Sequence, residues 1–320
     1  MLDVFFTVDV EIWCDGWDDI DAKFPGAFQR YVYGRTLKGD YGLPYKLRQL
    51  EEHGLTGVFF VEPLFSTRFG LAPLAEIIGL IRERGQEVQL HLHTEWVDES
   101  NKPLLASVNG KRQFLRYFSL AEQTQLVAVG MELIERANGG NVNAFRAGTF
   151  GLNVDTLRAL AANGITFDTS YNASMFGLES GVIPGTTLVQ PVRCESVYEY
   201  PMTVFDDGTR SLRHVQLTAC SYQEMTGLLW QALAAGYKTF VILSHNFELL
   251  NPAKDRPDYI VVDRFKKLCR FLDCHRDCFR VRGFQELQPV AVSFQPVPLR
   301  SPLWKTSFRI LEQIIRWRYE

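Results

Sequence analysis

The segment 57–91 contains two short apolar runs, Gly57-Val-Phe-Phe-Val-Glu62 and Glu87-Val-Gln-Leu-His91. Between them, residues 72–84 repeat apolar side chains at the spacing of an amphipathic helix. Short runs rich in β-branched and aromatic residues are typical of buried strands, and two such runs joined by a helix are typical of a β-α-β unit. This segment therefore predicts an α/β fold with parallel strands.

The same alternation continues along the rest of the chain, without an internal repeat or a low-complexity linker. The apolar runs predict strands at 4–9, 57–62, 87–91, 143–146, 165–168, 239–244 and 279–281. The amphipathic segments predict helices at 43–53, 72–84, 121–137, 154–163, 222–235 and 259–275. Strands and helices in strict alternation favour the α/β class.

Three segments depart from this alternation. Residues 197–204 and 211–217 alternate like strands on either side of Phe205-Asp-Asp-Gly208, which predicts an inserted β-hairpin. Residues 12–41, rich in Asp, Gly and aromatics, predict a long loop that forms a binding surface. From Pro302 to Glu320 the spacing predicts an amphipathic helix with a partly basic face. We favour packing of this helix on the domain, with peripheral contact to the inner membrane surface as the alternative.

Composition and charge exclude several classes of protein. The chain has 320 residues, of which 46% are hydrophobic and 22% charged, as in proteins with a sizeable core. A formal net charge of −3 argues against a nucleic-acid partner. The N-terminal residues do not resemble a signal peptide, and no apolar run reaches the roughly 18 residues of a membrane-spanning helix. We therefore expect a cytoplasmic protein whose six cysteines are reduced thiols.

Polar and ionisable side chains collect where the predicted strands end. In barrels of alternating strands and helices, functional groups gather at the C-terminal ends of the strands. Those positions hold Asp9, Glu11, His91, His93, Glu95, Arg146, Asp168 and His245. Carboxylate oxygens and imidazole nitrogens bind Zn²⁺, and a catalytic zinc site keeps one position open for water. Glu11 and two of the residues His91, His93 and Glu95 could supply such a site.

Five short motifs follow one another in a familiar order: Thr7-Val-Asp-Val-Glu11, His91-Leu-His-Thr-Glu-Trp96, Phe145-Arg-Ala-Gly148, Phe167-Asp-Thr-Ser170 and Leu243-Ser-His245. Together they resemble the motif series of the polysaccharide deacetylase family, the NodB-homology enzymes of carbohydrate esterase family 4. The resemblance spans about residues 2–285. It implies a distorted (β/α)7 barrel over residues 1–288, followed by an extension over 289–320, and it implies hydrolysis of acetyl groups on sugars with a divalent metal.

The chain departs from the usual motifs of this family at two places. The first motif is usually T-F-D-D-G, in which a metal ligand directly follows the base. Asp9 matches the base, but Val10 occupies the ligand position, and Glu11 fits a variant with the metal-binding acid two residues after the base. The second motif is usually H-x-x-x-H, and the fourth residue after His91 is Glu95. Either His93 or Glu95 therefore completes the site, and the sequence leaves that choice open.

The resemblance also implies roles for the other residues. The metal would be Zn²⁺, with Co²⁺ and Ni²⁺ as alternatives, and it would polarise the acetyl carbonyl while Asp9 takes a proton from the attacking water. Arg146 would hold Asp9 ionised, His245 would protonate the departing nitrogen, and Asp168 would support the charged groups. A final set of residues would stack on sugar rings: Trp13, Trp96 and Phe150.

The sequence thus predicts a metal-dependent deacetylase acting on an acetamido sugar of an envelope or surface glycan, or of its precursor. Two alternatives stay open: a metal-free hydrolase of cyclic amides or imides, which related barrels represent, and a non-catalytic glycan-binding barrel. Glu11 and His91 argue against the first alternative. The joint presence of Asp9, Arg146 and His245 argues against the second.

Overall fold

The computed structural model describes residues 1–107, 110–176 and 180–319. The chain divides into two compact units. The first unit comprises Met1–Gly57, Thr203–Arg282 and Val297–Glu320, and the second comprises Val58–Met202 and Gly283–Pro296. Within the described residues, no helix has both the length and the apolar character needed to cross a membrane.

Strands and helices alternate along most of the chain. The strands are β1 (Leu2–Val10), β2 (Arg35–Thr36), β3 (Gly39–Asp40), β4 (Gly57–Val61), β5 (Glu87–Leu92), β6 (Ala144–Ala147), β7 (Phe167–Asp168), β8 (Val192–Cys194), β9 (Val197–Glu199), β10 (Val204–Asp206), β11 (Leu212–His214), β12 (Thr239–His245), β13 (Phe279–Val281) and β14 (Leu299–Arg300). The α-helices are α1 (Ile20–Phe28), α2 (Leu43–Glu52), α3 (Ser66–Phe69), α4 (Leu71–Glu83), α5 (Leu120–Arg136), α6 (Val154–Ala162), α7 (Tyr222–Ala234), α8 (Tyr259–Cys274) and α9 (Leu303–Tyr319). All the strands and helices predicted from the alternation are present, with ends shifted by at most two residues, and the α/β class is confirmed.

The sheet of the first unit is organised around β1. This strand pairs in parallel with β12 along most of its length and with β13 at its start. Phe5 and Phe6 in β1 are at most 1% exposed, as are Val4 and Val8, so both faces of the strand are covered. Continuous apolar strands of this kind are typical of parallel sheets. The parallel register places Asp9 opposite His245, at the C-terminal ends of the two strands.

The second unit contains parallel strands that pair with one another in a sheet. Strands β4, β5, β6, β7 and β9 are neighbours in that order and run parallel, and β8 pairs antiparallel with β9. In the centre of this sheet, His91 of β5 lies opposite Arg146 of β6. Asp168 of β7 lies opposite Glu199 of β9. The register therefore brings predicted site residues to neighbouring strand ends.

The inserted hairpin is shorter than predicted. Strands β10 and β11 pair antiparallel, so the turn after Asp206 is confirmed. The predicted first arm, 197–204, is wrong as a single strand, because β9 and β10 belong to different sheets. Pro201 lies between them, and proline lacks the N–H that a continuous strand would donate.

The predicted loop at 12–41 is also more ordered than the sequence suggested. It contains α1, a following π-helical turn at Gln29–Tyr33 and the small hairpin of β2 and β3. Pro25 lies inside α1, and an internal proline argues against a helix in sequence analysis. The helix forms because Phe24 and Phe28 share a face with two smaller apolar residues, and that face is buried.

Candidate active site

Asp9, Glu11 and His245 converge at the C-terminal ends of β1 and β12. Asp9 and Glu11 are 3% and 7% exposed, and the His245 side chain is 21% exposed. One ligand atom from each of the three residues lies within 4.8 Å of the other two. Two carboxylates and an imidazole are thus close enough to share one metal ion or one proton, and the histidine remains reachable from solvent.

A buried asparagine fixes the backbone at this point. The backbone N–H of Asn246 donates to the Asp9 carbonyl oxygen (3.1 Å). The Asn246 side chain accepts from the Glu11 N–H (3.1 Å) and donates to the Glu11 carbonyl oxygen (3.1 Å). These bonds extend the pairing of the two strands beyond the end of β1. Sequence analysis missed Asn246, although it directly follows His245.

The His245 ring is oriented from behind by Glu248. The Nδ1–H group of His245 donates to Glu248 Oε1 at 2.8 Å, since an ionised carboxylate can only accept. His245 Nε2 then lies 3.8 Å from Glu11 Oε1. Burial by itself would lower the pKa of His245, but the carboxylates of Glu11, Glu248 and Asp9 outweigh burial and raise the pKa to about 9. The carboxylates therefore favour an imidazolium at this position.

Glu248 is held in turn by a buried serine and a buried lysine. Ser244 Oγ donates to Glu248 Oε2 (3.0 Å), and Lys46 Nζ donates to Ser244 Oγ (2.7 Å). Burial lowers the pKa of Lys46 to about 8, and the Glu248 carboxylate partly offsets that effect. Lys46 and Glu248 were missed in the sequence, because they come from α2 and from the segment after β12, and Ser244 was part of a quoted motif without an assigned role.

Trp13 contacts the site through its indole nitrogen. Trp13 Nε1 donates to Glu11 Oε2 at 2.7 Å, and the ring packs edge-on against Trp17 at 6.1 Å between centroids. The hydrogen bond restrains one carboxylate oxygen of Glu11. Trp13 therefore has a positioning role in addition to the sugar contact predicted from the sequence.

In the second unit, His91 and His93 lie together at the end of β5. They are 1% and 5% exposed, and their ring centroids are 4.8 Å apart. His91 Nδ1 bonds to the Arg146 carbonyl oxygen (2.8 Å), and His93 Nδ1 bonds to Glu95 Oε2 (3.3 Å). Because oxygen acceptors hold both Nδ1–H groups, Nε2 is the nitrogen of each ring that carries the lone pair.

The glycine of the third motif has a steric role beside these rings. A Cβ atom on Gly148 would lie 2.6 Å from the Leu92 carbonyl oxygen and 2.8 Å from His93 Nδ1. The next two residues, Thr149 and Phe150, both have positive φ angles, 50° and 56°. Such conformations are costly outside glycine and often mark functional sites. Phe150, predicted to contact sugar, is 8% exposed at this bend.

Arg146 and Asp168 belong to a buried polar network in the second unit. Arg146 Nε donates to the Thr169 carbonyl oxygen (3.1 Å), and its guanidinium lies 4.5 Å from the centre of the Phe60 ring. Asp168 accepts from Ser170 Oγ (2.6 Å). Burial, with the neighbouring Asp168 carboxylate, raises the pKa of Glu199 well above its usual value, which favours the protonated form of Glu199. Sequence analysis missed Glu199.

Trp96 lies in the hydrophobic core. Its side chain is 1% exposed and packs edge-on against Phe65 (6.4 Å between centroids) and Phe69 (5.9 Å). A ring enclosed in this way has no face to offer a sugar. The prediction that Trp96 stacks on substrate is therefore corrected, and its role is core packing.

The chain is similar to solved structures of known proteins. A protein from Mycobacterium smegmatis, provisionally designated a polysaccharide deacetylase, matches with 19% identity and a TM-score of 0.55, over 92% of this chain and 95% of that one. A family 4 carbohydrate esterase from Streptomyces lividans, solved with acetate, matches with 14% identity and a TM-score of 0.43, over 90% and 96%. No protein-family model and no curated protein matches the sequence. The first match confirms the predicted fold, which this chain shares with the Mycobacterium smegmatis protein.

Proposed function

We propose that the chain is a metal-dependent hydrolase that removes an acetyl group from an acetamido sugar of a surface or envelope glycan, or of its precursor. One observation carries the proposal: a buried aspartate, a buried glutamate and a reachable histidine converge at the ends of β1 and β12. In barrels of this type the strand ends hold the catalytic groups. The fold shared with a protein designated a polysaccharide deacetylase supports the substrate class.

The donor atoms suit a borderline divalent metal. We propose Glu11, His91 and His93 as its ligands, choosing His93 over the alternative Glu95 that the sequence left open, with Zn²⁺ favoured over Co²⁺ and Ni²⁺. The orientation of the histidines supports this choice, because metal-binding imidazoles usually donate their other ring N–H to an oxygen acceptor. When bound, the ion would polarise the acetyl carbonyl and acidify a water molecule.

The remaining residues would move protons and hold the substrate. Asp9 would accept the proton of the attacking water, and His245, oriented by Glu248, would donate a proton to the departing sugar nitrogen. Arg146 and Asp168 keep the supporting roles predicted from the sequence. Trp13 and Phe150 stay candidates for contact with the sugar ring.

Metal content tests the proposal directly. We expect about one divalent metal per chain, as in single-metal catalytic sites, measured by elemental analysis after incubation with Zn²⁺ and dialysis. Glu11→Ala and His91→Ala should each lose the metal, because each removes one of three proposed ligands. His53→Ala should keep the metal, since His53 lies at the end of α2 and is hydrogen-bonded to Asp273 instead of belonging to the proposed site.

The assay for activity is acetate release from N-acetylated glucosamine oligomers and from O-acetylated sugars, with the wild-type chain and these variants. A wild-type chain that retained no metal with either Zn²⁺ or Co²⁺ would contradict the mechanism. The metal-free amide hydrolase or the non-catalytic barrel would then be the better interpretation.

A second pair of variants decides between His93 and Glu95. His93→Ala should lose the metal, whereas Glu95→Gln should only weaken metal affinity, by roughly 10–100-fold, as loss of a partner that orients a ligand usually does. The basis is the bond between His93 Nδ1 and Glu95 Oε2 at 3.3 Å. Titration of the metal-free variants with Zn²⁺ would measure both affinities. The opposite order of affinities would make Glu95 the ligand.

A further inference from the structure

Helix α9 packs on the first unit through its polar side. Thr306 Oγ1 donates to the Asp207 carbonyl oxygen (2.6 Å), and Arg309 forms ion pairs with Asp207 (3.2 Å) and Glu224 (3.1 Å). Further along the helix, Arg316 pairs with Asp258 at 2.6 Å. The predicted packing of this helix is confirmed, and the side that faces the protein is the one that carries Arg309 and Arg316. Both arginines are held in ion pairs on the inner side.

The apolar side of α9 consequently points outward. Its exposed members are Leu303 (58%), Trp304 (64%), Phe308 (42%), Ile310 (46%), Leu311 (53%), Ile314 (49%) and Ile315 (40%). At about 100° per residue these side chains occupy a continuous arc of about 160°. A surface helix normally buries such a stripe, and large exposed apolar patches mark interaction sites. We therefore expect this face to contact another surface.

Other elements of the same unit extend this face. Leu37, in the connection between β2 and β3, is 103% exposed, and Tyr259 at the start of α8 is 58% exposed. A pocket of about 390 Å³ beside α9 is lined by Ile315 and Tyr259 together with three cations, Lys38, Arg256 and Arg316. The acid in its lining is Asp258, which pairs with Arg316. The lining thus contains three cationic side chains and one acidic side chain, at the edge of the apolar face.

We propose that this surface, the outer face of α9 with Leu37 and the adjoining cationic pocket, binds an anionic lipid membrane. Apolar side chains on one face of a helix enter the acyl boundary, while Lys and Arg at the edge meet lipid phosphates. The cations at the edge of the face favour a lipid surface over a second copy of the chain, because lipid phosphates supply the anions that would meet them. Helix α9 would lie parallel to the membrane plane, with its ion-paired side on the protein.

Co-sedimentation with vesicles tests this proposal independently of any enzymatic activity. The full chain should pellet with vesicles of phosphatidylcholine containing phosphatidylglycerol, and less with phosphatidylcholine alone. Leu311→Ser/Ile315→Ser should abolish binding, and the fold should survive because both side chains are already exposed. Lys38→Glu/Arg256→Glu should weaken binding to the anionic vesicles by about tenfold or more, since each cation near an anionic surface contributes to attraction.

The matched control is Phe294→Ser, which removes an apolar side chain that is 81% exposed outside this surface and should bind vesicles like the wild type. Circular dichroism would confirm that each variant is folded. Failure of the wild-type chain to pellet with anionic vesicles would overturn the proposal, and so would unchanged binding by Leu311→Ser/Ile315→Ser. Light scattering that showed a dimer, lost in this variant, without vesicle binding would assign the face to a second copy instead.

Discussion

Turnover by the Asp9→Asn variant is expected to fall by about 10³-fold, in the range typical for loss of a general base. Asparagine keeps the size of the side chain but cannot take up the proton of the attacking water. Asp9 is 3% exposed at the end of β1, where the proposed site lies. The measurement is the rate of acetate release at saturating substrate, compared with the wild type.

The same variant should retain its metal and its fold. Asp9 is not a proposed ligand, so elemental analysis should still find about one metal per chain, as in a single-metal site. Asp263→Asn is the matched control, because Asp263 is an exposed carboxylate on α8 paired with Lys267, and this variant should turn over normally. Near-normal turnover by Asp9→Asn would show that another group is the base.

The sequence predicted the strand ends of the site well. Apolar runs predicted the seven strands of the alternation to within two residues, and motif order related Asp9 to His245 across more than 230 positions of sequence. Parallel strands buried on both faces appear in a sequence as near-continuous apolar runs, so their positions can be predicted from the pattern. Asp9 and His245, at the ends of these strands, could therefore be predicted from the sequence pattern.

The residues that support the site could not be predicted in the same way. Glu248 and Lys46 orient His245 through a chain of hydrogen bonds that joins α2 to the end of β12. Glu199 meets Asp168 only because β9 follows β7 in the sheet. Such partners have no fixed spacing from the residue they support, and only the tertiary pairing identifies them.

The orientation of α9 shows a further limit of pattern analysis. The helical period of residues 302–320 correctly predicts an amphipathic helix, but it does not say which side faces the protein. Here the partners Asp207, Glu224 and Asp258 come from three separate segments and select the polar side. The usual rule, apolar side inward, fails because the acids that decide the orientation are far away in the sequence.

Arg309→Met is expected to lower the free energy of unfolding by about 3–5 kcal/mol, the range for breaking a buried ion pair by removing one partner. The Arg309 and Asp207 side chains are 4% and 7% exposed, and Glu224 is fully buried. Methionine fills a similar volume but removes the cation that pairs with both carboxylates. Urea unfolding followed by circular dichroism would measure the change, and Arg136→Met, at a side chain 59% exposed, should stay within about 0.5 kcal/mol of the wild type.

A double variant separates the charge effect from general damage to α9. Glu224 also caps α7, because its Oε2 accepts from the Ser221 N–H, and glutamine can keep that bond while losing the charge. Arg309→Met/Glu224→Gln should therefore be less destabilised than the sum of the two single variants, since one of the two uncompensated charges is gone. If Arg309→Met lowered the free energy of unfolding by less than about 1 kcal/mol, the Arg309 ion pairs would contribute no more than surface ion pairs do. That result would contradict polar docking of α9, and with it the outward apolar face on which membrane binding depends.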